Sequence, residues 1–232
     1  GGISMTGKIK LVHSGGNAVS LAVPTSNPSS SEVEFKLPQA DGSTGQFIKT
    51  DGSGSLSFAS VTSVVKEQFF QPCDGSSIST SNGTITLTNV TGTQALSTSN
   101  VTLTGSEISY QPPTGTTCVI YEFKTCFAPG DSNGIWNAAL FIDGQIIDYS
   151  GASARTTSTN GTSYFDFKYG ITIGGSTDNS TGRQASWTSA KTLLLKVRDY
   201  DSNHDQVAHK RSYYQMGGGS FVMPQIGITA IG

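Results

Sequence analysis

The chain has 232 residues, which is enough for one large β-domain or for a domain with a smaller appendage. Only 13% of the residues are charged and the formal net charge is −2, so charge gives no reason to expect binding to nucleic acid or to an anionic membrane. No apolar run approaches the roughly 20 residues that span a bilayer, and we expect no membrane insertion. The abundant Gly, Ser, Thr and Asn favour turns and strands over helices.

The first 62 residues consist of short apolar clusters separated by turn-forming residues. Each cluster is long enough for a strand of about five residues, but together they offer too little apolar area to close a core. We therefore expect this segment to need copies of itself or a partner. The clusters are Ile9–Val12, Val19–Val23, Val33–Leu37, Phe47–Ile48 and Leu56–Phe58.

Four short sequence elements follow one another in this segment. They are Asn-Ala-Val-Ser-Leu-Ala-Val-Pro at 17–24, Phe-Lys-Leu-Pro at 35–38, Asp41-Gly42, and Gly-Gln-Phe-Ile-Lys-Thr-Asp-Gly-Ser-Gly-Ser-Leu-Ser-Phe at 45–58. This succession resembles a module of tail-fibre and other virion structural proteins of marine phages and large algal viruses. The resemblance covers about the first quarter of the chain. It implies a fibrous, usually trimeric, β-rich shaft that leads to a distal domain, and it carries over no binding residue.

Residues 63–232 have the pattern of a longer β-domain. Strands are predicted at Val64–Phe70, Thr84–Thr88, Val101–Thr104 and Ile108–Tyr110. In the next run, 117–127, one set of alternating residues is apolar and predicts a core face, formed by Val119, Tyr121, Phe123 and Phe127. Asp143-Gly144 then predicts a type I′ hairpin. We expect the run at 117–127 and the two arms of this hairpin to be three antiparallel strands in a row, at the centre of one sheet.

Three further strands are predicted in the last third of the chain. Phe165, Phe167, Tyr169, Ile171 and Ile173 alternate as a second apolar face, and Thr192–Val197 and Phe221–Ile231 follow. The last of these is expected to lie centrally, beside the first strand of the domain. The predicted fold is all-β: a short β-rich trimeric shaft segment at 1–62, followed by a jelly-roll β-sandwich head of about eight strands at 63–232. The head resembles the trimeric jelly-roll heads of the tumour-necrosis-factor and complement-C1q type.

The polar run from Asp199 to Asp205 is a candidate for a calcium loop. Oxygen-bearing side chains stand at alternate positions, which are Asp199, Asp201, Asn203 and Asp205. The sixth position is His204 instead of Gly and the twelfth is Lys210 instead of Glu, so a solvated loop is favoured and no metal is predicted.

Aromatic and polar residues near the predicted loops suggest a saccharide site. Sugar rings stack on aromatic side chains, while amide, carboxylate and guanidinium groups bind hydroxyl groups. The candidate ligand-binding residues are Trp187, Arg183, Tyr200, Asp201 and Asn203. The alternative for each aromatic residue is packing in the core or at a subunit interface.

No catalytic residue and no cofactor are predicted. The segment Gly-Asp-Ser-Asn-Gly at 130–134 matches the nucleophile-elbow pattern, but a strand follows where that motif requires a helix. The acidic residues expected in a glycosidase are scattered without a recognisable pair, at Glu107, Glu122, Asp143, Asp148 and Asp166. We therefore expect a protein that is not an enzyme.

The function predicted from these observations is that of the distal protein of a virion fibre. We expect a homotrimer at the surface of the particle, attached through its N-terminus to other virion proteins. The head is expected to bind a host surface glycan or an outer-membrane component. Two alternatives stay open: a purely structural capsid spike or decoration protein, and a tailspike that depolymerises a glycan.

Overall fold

A computed structural model describes residues 8–22, 24–26, 33–60, 64–130, 133–158, 160–212 and 220–232. The chain divides into two compact units, Gly1–Thr62 and Ser63–Gly232. Across these described ranges, helices that are long and apolar enough to cross a membrane are absent. The assignment of the two units as shaft and receptor-binding head stays a prediction.

The described residues of the first unit form two antiparallel hairpins. Strand β1 (Lys8–Val12) pairs with β2 (Ala18–Ala22), and β3 (Gln46–Thr50) pairs with β4 (Leu56–Ser60). The strand predicted at Val33–Leu37 is wrong, because this stretch makes only an isolated bridge through Lys36, whose backbone N–H donates to the carbonyl of Gly54. A single bridge is not a β-ladder, so this stretch is not a strand.

The described side chains of this first unit are all exposed or half-buried. Among residues 11–18, 24–26 and 33–60, none is fully buried. The exposed fraction reaches 64% at Phe35 and 77% at Leu37. The prediction that this segment offers too little apolar area for a core of its own agrees with these exposures.

The described residues of the second unit form a β-sandwich of two six-stranded sheets and a separate two-stranded hairpin, Ser77–Thr80 with Gly83–Thr86. These described residues contain no α-helix, only a three-residue 3-10 helix at Asp148–Ser150. The strands are β5 (Val65–Pro72), β6 (Ser77–Thr80), β7 (Gly83–Thr86), β8 (Gln94–Ala95), β9 (Val101–Thr102), β10 (Ile108–Tyr110), β11 (Cys118–Pro129), β12 (Gly134–Ile142), β13 (Gln145–Ile146), β14 (Ala152–Thr156), β15 (Ser163–Thr172), β16 (Lys191–Asp199), β17 (Gln206–Ala208) and β18 (Gln225–Ile231).

The order of the strands is that of a jelly roll. The first sheet has β5, β18, β11 and β15 side by side, and β17 and β8 extend it beside the end of β11. The second sheet has β10, β16, β12 and β14 side by side, with β9 and β13 as short additions. All these pairings are antiparallel. The predicted all-β sandwich is confirmed, and the C-terminal strand β18 lies between the first strand β5 and β11, as expected.

The prediction of three consecutive strands in one sheet is wrong. β11 belongs to the first sheet, whereas β12 and β13 belong to the second. Alternation reports which residues face the core, and it is the same for two strands in one sheet or in facing sheets. The hairpin itself is confirmed: Asp143 and Gly144 have φ angles of 49° and 80°, and Ile142 lies opposite Gln145.

The core lies between the two sheets and is rich in aromatic residues. The predicted face of β11 is confirmed, because Val119, Tyr121, Phe123 and Phe127 are all fully buried. The Phe127 ring stacks on Trp136 of the facing sheet at 4.5 Å between centroids. Phe165 of β15 meets Trp136 edge-on at 5.0 Å. These contacts join the two sheets at one end of the sandwich.

Candidate functional site

The five residues predicted to bind a saccharide do not form one site in a single chain. Arg183 and Trp187 precede β16, and Tyr200, Asp201 and Asn203 follow it. Because β16 has nine residues, the two groups lie roughly 30 Å apart, at opposite ends of the strand.

Trp187 packs in the core. Its side chain is only 5% exposed, and its indole N–H donates to the carbonyl of Tyr110 at 3.0 Å. The two rings also meet edge-on, with centroids 6.4 Å apart. A Trp in this position closes the end of the sandwich, which is the alternative that the sequence left open.

Most of the other predicted polar residues bind the backbone of their own turns. The Asp201 carboxylate accepts the N–H of Asn203 at 2.9 Å and contacts His204 Nδ1 at 2.6 Å. These bonds, above all the one to His204, lower the pKa of Asp201. Arg183 donates from Nε to the carbonyl of Ser176 at 2.8 Å. Tyr200 remains 61% exposed.

The carboxylates of the candidate calcium loop point to different environments. Asp199 is 2% exposed, and its Oδ1 accepts the N–H of Gln206 at 3.0 Å. Burial raises the pKa of Asp199 to about 6. In the parts of the chain that the structure describes, no three His, Cys, Asp or Glu side chains are grouped to hold a metal ion.

Three of the scattered acids form ion pairs with lysines. Asp166 pairs with Lys124, Glu122 with Lys168 and Asp143 with Lys191, each at 3.0 Å. Of the nucleophile-elbow motif, Asp131 and Ser132 lie outside the described residues. The strand that was predicted to follow the motif is present as β12.

A groove on the outward face of the second sheet is the candidate functional site. This outer groove has a volume of about 460 Å³. β12 and β16 form its floor, while β13, β14 and the residue before β9 contribute to its walls. It is lined by Asn100, Asn137, Ala138, Ala139, Phe141, Ile146, Asp148, Gly151, Ala152, Ser153, Lys196 and Arg198.

The register of the second sheet decides which side chains meet in the outer groove. Asn137 lies directly opposite Arg198, and Ala139 lies opposite Lys196. The alternate residues of both strands, such as Leu140 and Leu195, are buried in the core. The polar and cationic groups therefore share the outward face.

The outer groove is electropositive. Lys196 and Arg198 stand two residues apart on β16, and Asp148 is the acid in the lining. Within the described ranges, neither cation forms an ion pair with an acidic side chain. Lys196 Nζ lies 4.6 Å from the centre of the Phe141 ring, a cation–π contact.

Sequence reasoning missed this groove, although a signal for it existed. Lys196 and Arg198 alternate with the apolar residues Leu195 and Val197, so both were predictable as neighbours on the solvent face of a strand. What stands opposite them depends on the pairing of β12 with β16, which the pattern does not reveal.

A second concavity, of about 430 Å³, has a different chemical character. It lies between β7 and β10, and its lining is rich in hydroxyl groups and contains no lysine or arginine. The lining residues are Thr80, Asn82, Gly83, Thr84, Ile85, Thr86, Thr88, Glu107, Ile108, Ser109, Gln111 and Ala190.

Comparison with known proteins gives no family. No family model matches the chain, and no curated protein matches it. Among solved structures there is a weak structural likeness to a chain from the structure of infectious bursal disease virus Gx strain, at 8% identity and a TM-score of 0.34. The match covers 93% of this chain and 46% of that chain, so this chain spans about half of the viral one. A likeness at this level assigns neither family nor function.

Proposed function

We propose that this protein is the distal part of a virion fibre that attaches the particle to a host surface. Residues 1–62 associate with the same segment of two other chains as a shaft, and residues 63–232 form the head that makes the contact. Other virion proteins hold the N-terminus, and the head is on the outside of the particle. The resemblance of residues 17–58 to virion fibre modules supports this assignment.

The observation that carries the proposal is the exposure of apolar side chains in the first unit. Phe35, Leu37 and Ile48 are 64%, 77% and 56% exposed, and the described part of this unit buries no side chain. Leaving so many apolar groups in water is unfavourable, and burial between copies of the chain would recover about 25 cal/mol per Å². The head, by contrast, has a complete core of its own.

The proposed role of the head is recognition without chemistry. Three heads on one fibre present three identical sites, and several fibres on a particle multiply them again. Weak individual contacts then give firm capture, because each further binding event takes place at high effective concentration.

The proposed association can be tested by light scattering on the full chain. We expect three times the chain mass of 24.2 kDa. Leu37→Ser removes an exposed apolar group from the first unit and should shift the trimer towards smaller species. Tyr149→Ser, at a head residue that is 73% exposed, is the matched control and should leave the mass unchanged. A folded monomer at micromolar concentration would contradict the proposed shaft.

The proposed attachment can be tested by applying the labelled full chain to a glycan array and to candidate host cells. Binding to either supports attachment. A trimer that binds neither would favour the structural spike or decoration protein, and release of reducing sugar from a bound polysaccharide would favour the depolymerising tailspike.

A further inference from the structure

The two cations of the outer groove lie close together without neutralisation. Residues two apart on a strand are separated by roughly 7 Å and share a face, so Lys196 and Arg198 present adjacent positive charges. Neither has an acidic partner within the described parts of the chain. The whole chain has a net charge of −2, so this positive charge is local to the groove.

The ammonium group of Lys196 is positioned by a cation–π contact with the ring of Phe141. It lies 4.6 Å from the centroid of the Phe141 ring, and that ring is only 9% exposed. A group that is already positioned loses less conformational entropy on binding. Arg198 adds a planar guanidinium group, whose paired N–H groups match the two oxygens of a carboxylate.

The remainder of the lining fits the neutral part of a sugar. Asn100, Asn137 and Ser153 offer amide and hydroxyl groups, and Asp148 offers an acceptor for hydroxyl protons. Ile146 is 44% exposed and gives an apolar surface for ring C–H groups. The volume of about 460 Å³ lies within the range of about 300–1,000 Å³ that is usual for ligand pockets.

We infer that the outer groove binds a carboxylate-bearing saccharide, of the uronic or sialic acid class, with Arg198 and Lys196 on the carboxylate. The inference rests on the proposed function and names the ligand class of the head. Single-stranded nucleic acid fits the groove less well, because its binding sites combine a cationic track with exposed aromatic rings for base stacking. Here the one aromatic ring in the lining, Phe141, is nearly covered.

The test is calorimetric titration of the full chain with four probes: a galacturonic acid oligomer, the same oligomer with its carboxyl groups reduced to alcohols, a sialylated trisaccharide, and polyglutamate as an acidic polymer that is not a sugar. We expect at least one of the two acidic sugars to bind and the reduced oligomer to bind at least tenfold more weakly. Arg198→Gln with Lys196→Gln should weaken binding of the acidic sugar about 10- to 100-fold, because two charge-assisted contacts are lost. Arg198→Lys keeps the charge but loses the paired donors, and should weaken binding several-fold.

The matched control is Lys124→Gln with Lys168→Gln on the outward face of the first sheet. It removes the same charge from the same sandwich and should change the affinity less than twofold. Thermal unfolding of every variant shows whether the fold is retained.

Several outcomes would overturn the inference. These are equal binding of the acidic and the reduced oligomer, equal losses from the groove and control variants, binding of polyglutamate as tightly as the acidic sugar, and no binding of either acidic sugar. If the chain instead binds neutral glycans or host cells and the groove variants bind as well as the natural chain, the proposed attachment stands and this assignment of the groove is wrong. If the chain binds no glycan and no cell, both fail.

Discussion

The two outward faces of the head carry the same kinds of residue but use them differently. On the first sheet, Lys124 lies directly opposite Asp166, and Glu122 lies opposite Lys168; each pair closes to 3.0 Å. On the second sheet, Arg198 lies opposite Asn137, and Lys196 lies opposite Ala139. One face is neutralised across its strands, and the other leaves two cations over a groove.

The difference shows that the residue directly opposite a cation, on the neighbouring strand, determines whether the charge of that cation is neutralised. Directly opposed residues in an antiparallel sheet are close enough to form an ion pair, whereas neighbours along the strand point to opposite faces. A lysine opposite an acidic residue forms an ion pair within the sheet, and its hydrogen-bond donors are used there. A lysine or arginine opposite Ala or Asn keeps its hydrogen-bonding capacity for a ligand.

The largest expected change in the free energy of unfolding comes from a substitution in the core between the two sheets. Phe127 of the first sheet stacks on Trp136 of the second at 4.5 Å and meets Phe165 at 5.5 Å. Phe127→Ala should lower the free energy of unfolding by about 3–5 kcal/mol, since it removes a fully buried ring. Urea unfolding followed by tryptophan fluorescence measures this change.

The control for that variant is Phe70→Ala. Phe70 lies on the first sheet but is 38% exposed, so the loss should be clearly smaller. Equal losses at the two positions would mean that the sheets do not depend on a common core.

A second comparison concerns two buried titratable groups, one from each sheet. Asp199, on β16 of the second sheet, has its pKa raised from 3.8 to about 6, first by burial and then by the charge of Asp205. His209, which follows β17 of the first sheet, has its pKa lowered from 6.5 to about 4 by burial. The stability that Asp199 contributes is complete below pH 3.8 and is lost as the pH rises to 6. The stability that His209 contributes is complete above pH 6.5 and is lost as the pH falls to 4.

These opposite slopes should give the natural chain a nearly flat stability between pH 4 and 6. In Asp199→Asn only His209 of the two groups still titrates. The free energy of unfolding should therefore rise as the pH goes from 4 to 6.5, by on the order of 2 kcal/mol. Asparagine is the replacement for His209 because it readily adopts the φ angle of 60° at this position. In His209→Asn only Asp199 of the two groups still titrates, so the free energy of unfolding should fall over the same pH range. Urea midpoints measured at half-unit pH steps test both. Parallel profiles for the two variants would show that burial does not control these groups.

The sequence predicts the parts of this fold that depend on local pattern. The alternation in 117–127 identifies a core face, and Asp143-Gly144 identifies a hairpin, because both depend on residues close in the chain. The sheet to which β12 belongs is not predictable in this way, since it depends on pairing with β16, about 55 residues later. The outer groove was not predictable for the same reason, because it also depends on the pairing of β12 with β16. The burial of Trp187 was not predictable either, because an aromatic residue in a loop has the same sequence signature whether it binds a ligand or packs in the core.

An intermediate effect is expected at the turn beside the outer groove. Gly144 has a φ angle of 80°, and a Cβ added there would meet no atom within 4 Å. Gly144→Ala should therefore cost about 1–2 kcal/mol through backbone strain alone. Because Ile146 of the same hairpin lines the groove, affinity for the acidic saccharide should fall as well.

The control for the turn is Gly92→Ala, where a Cβ also meets no atom within 4 Å and the glycine does not adopt a positive φ angle. Its stability should be unchanged or slightly higher. A loss equal to that of Gly144→Ala would argue against strain as the cause.

The smallest expected change in the free energy of unfolding comes from the outward face of the first sheet, where the charges are already paired. Lys168→Ala breaks the ion pair with Glu122, and the lysine side chain is 60% exposed, so solvent screens the interaction. The free energy of unfolding should fall by about 0.2–1 kcal/mol, and by less in 1 M salt. Saccharide affinity should be unchanged, because the other sheet carries the groove. A loss of affinity comparable with that of the double variant Arg198→Gln with Lys196→Gln would show that net charge, and not the residue opposite each cation, distinguishes the two faces.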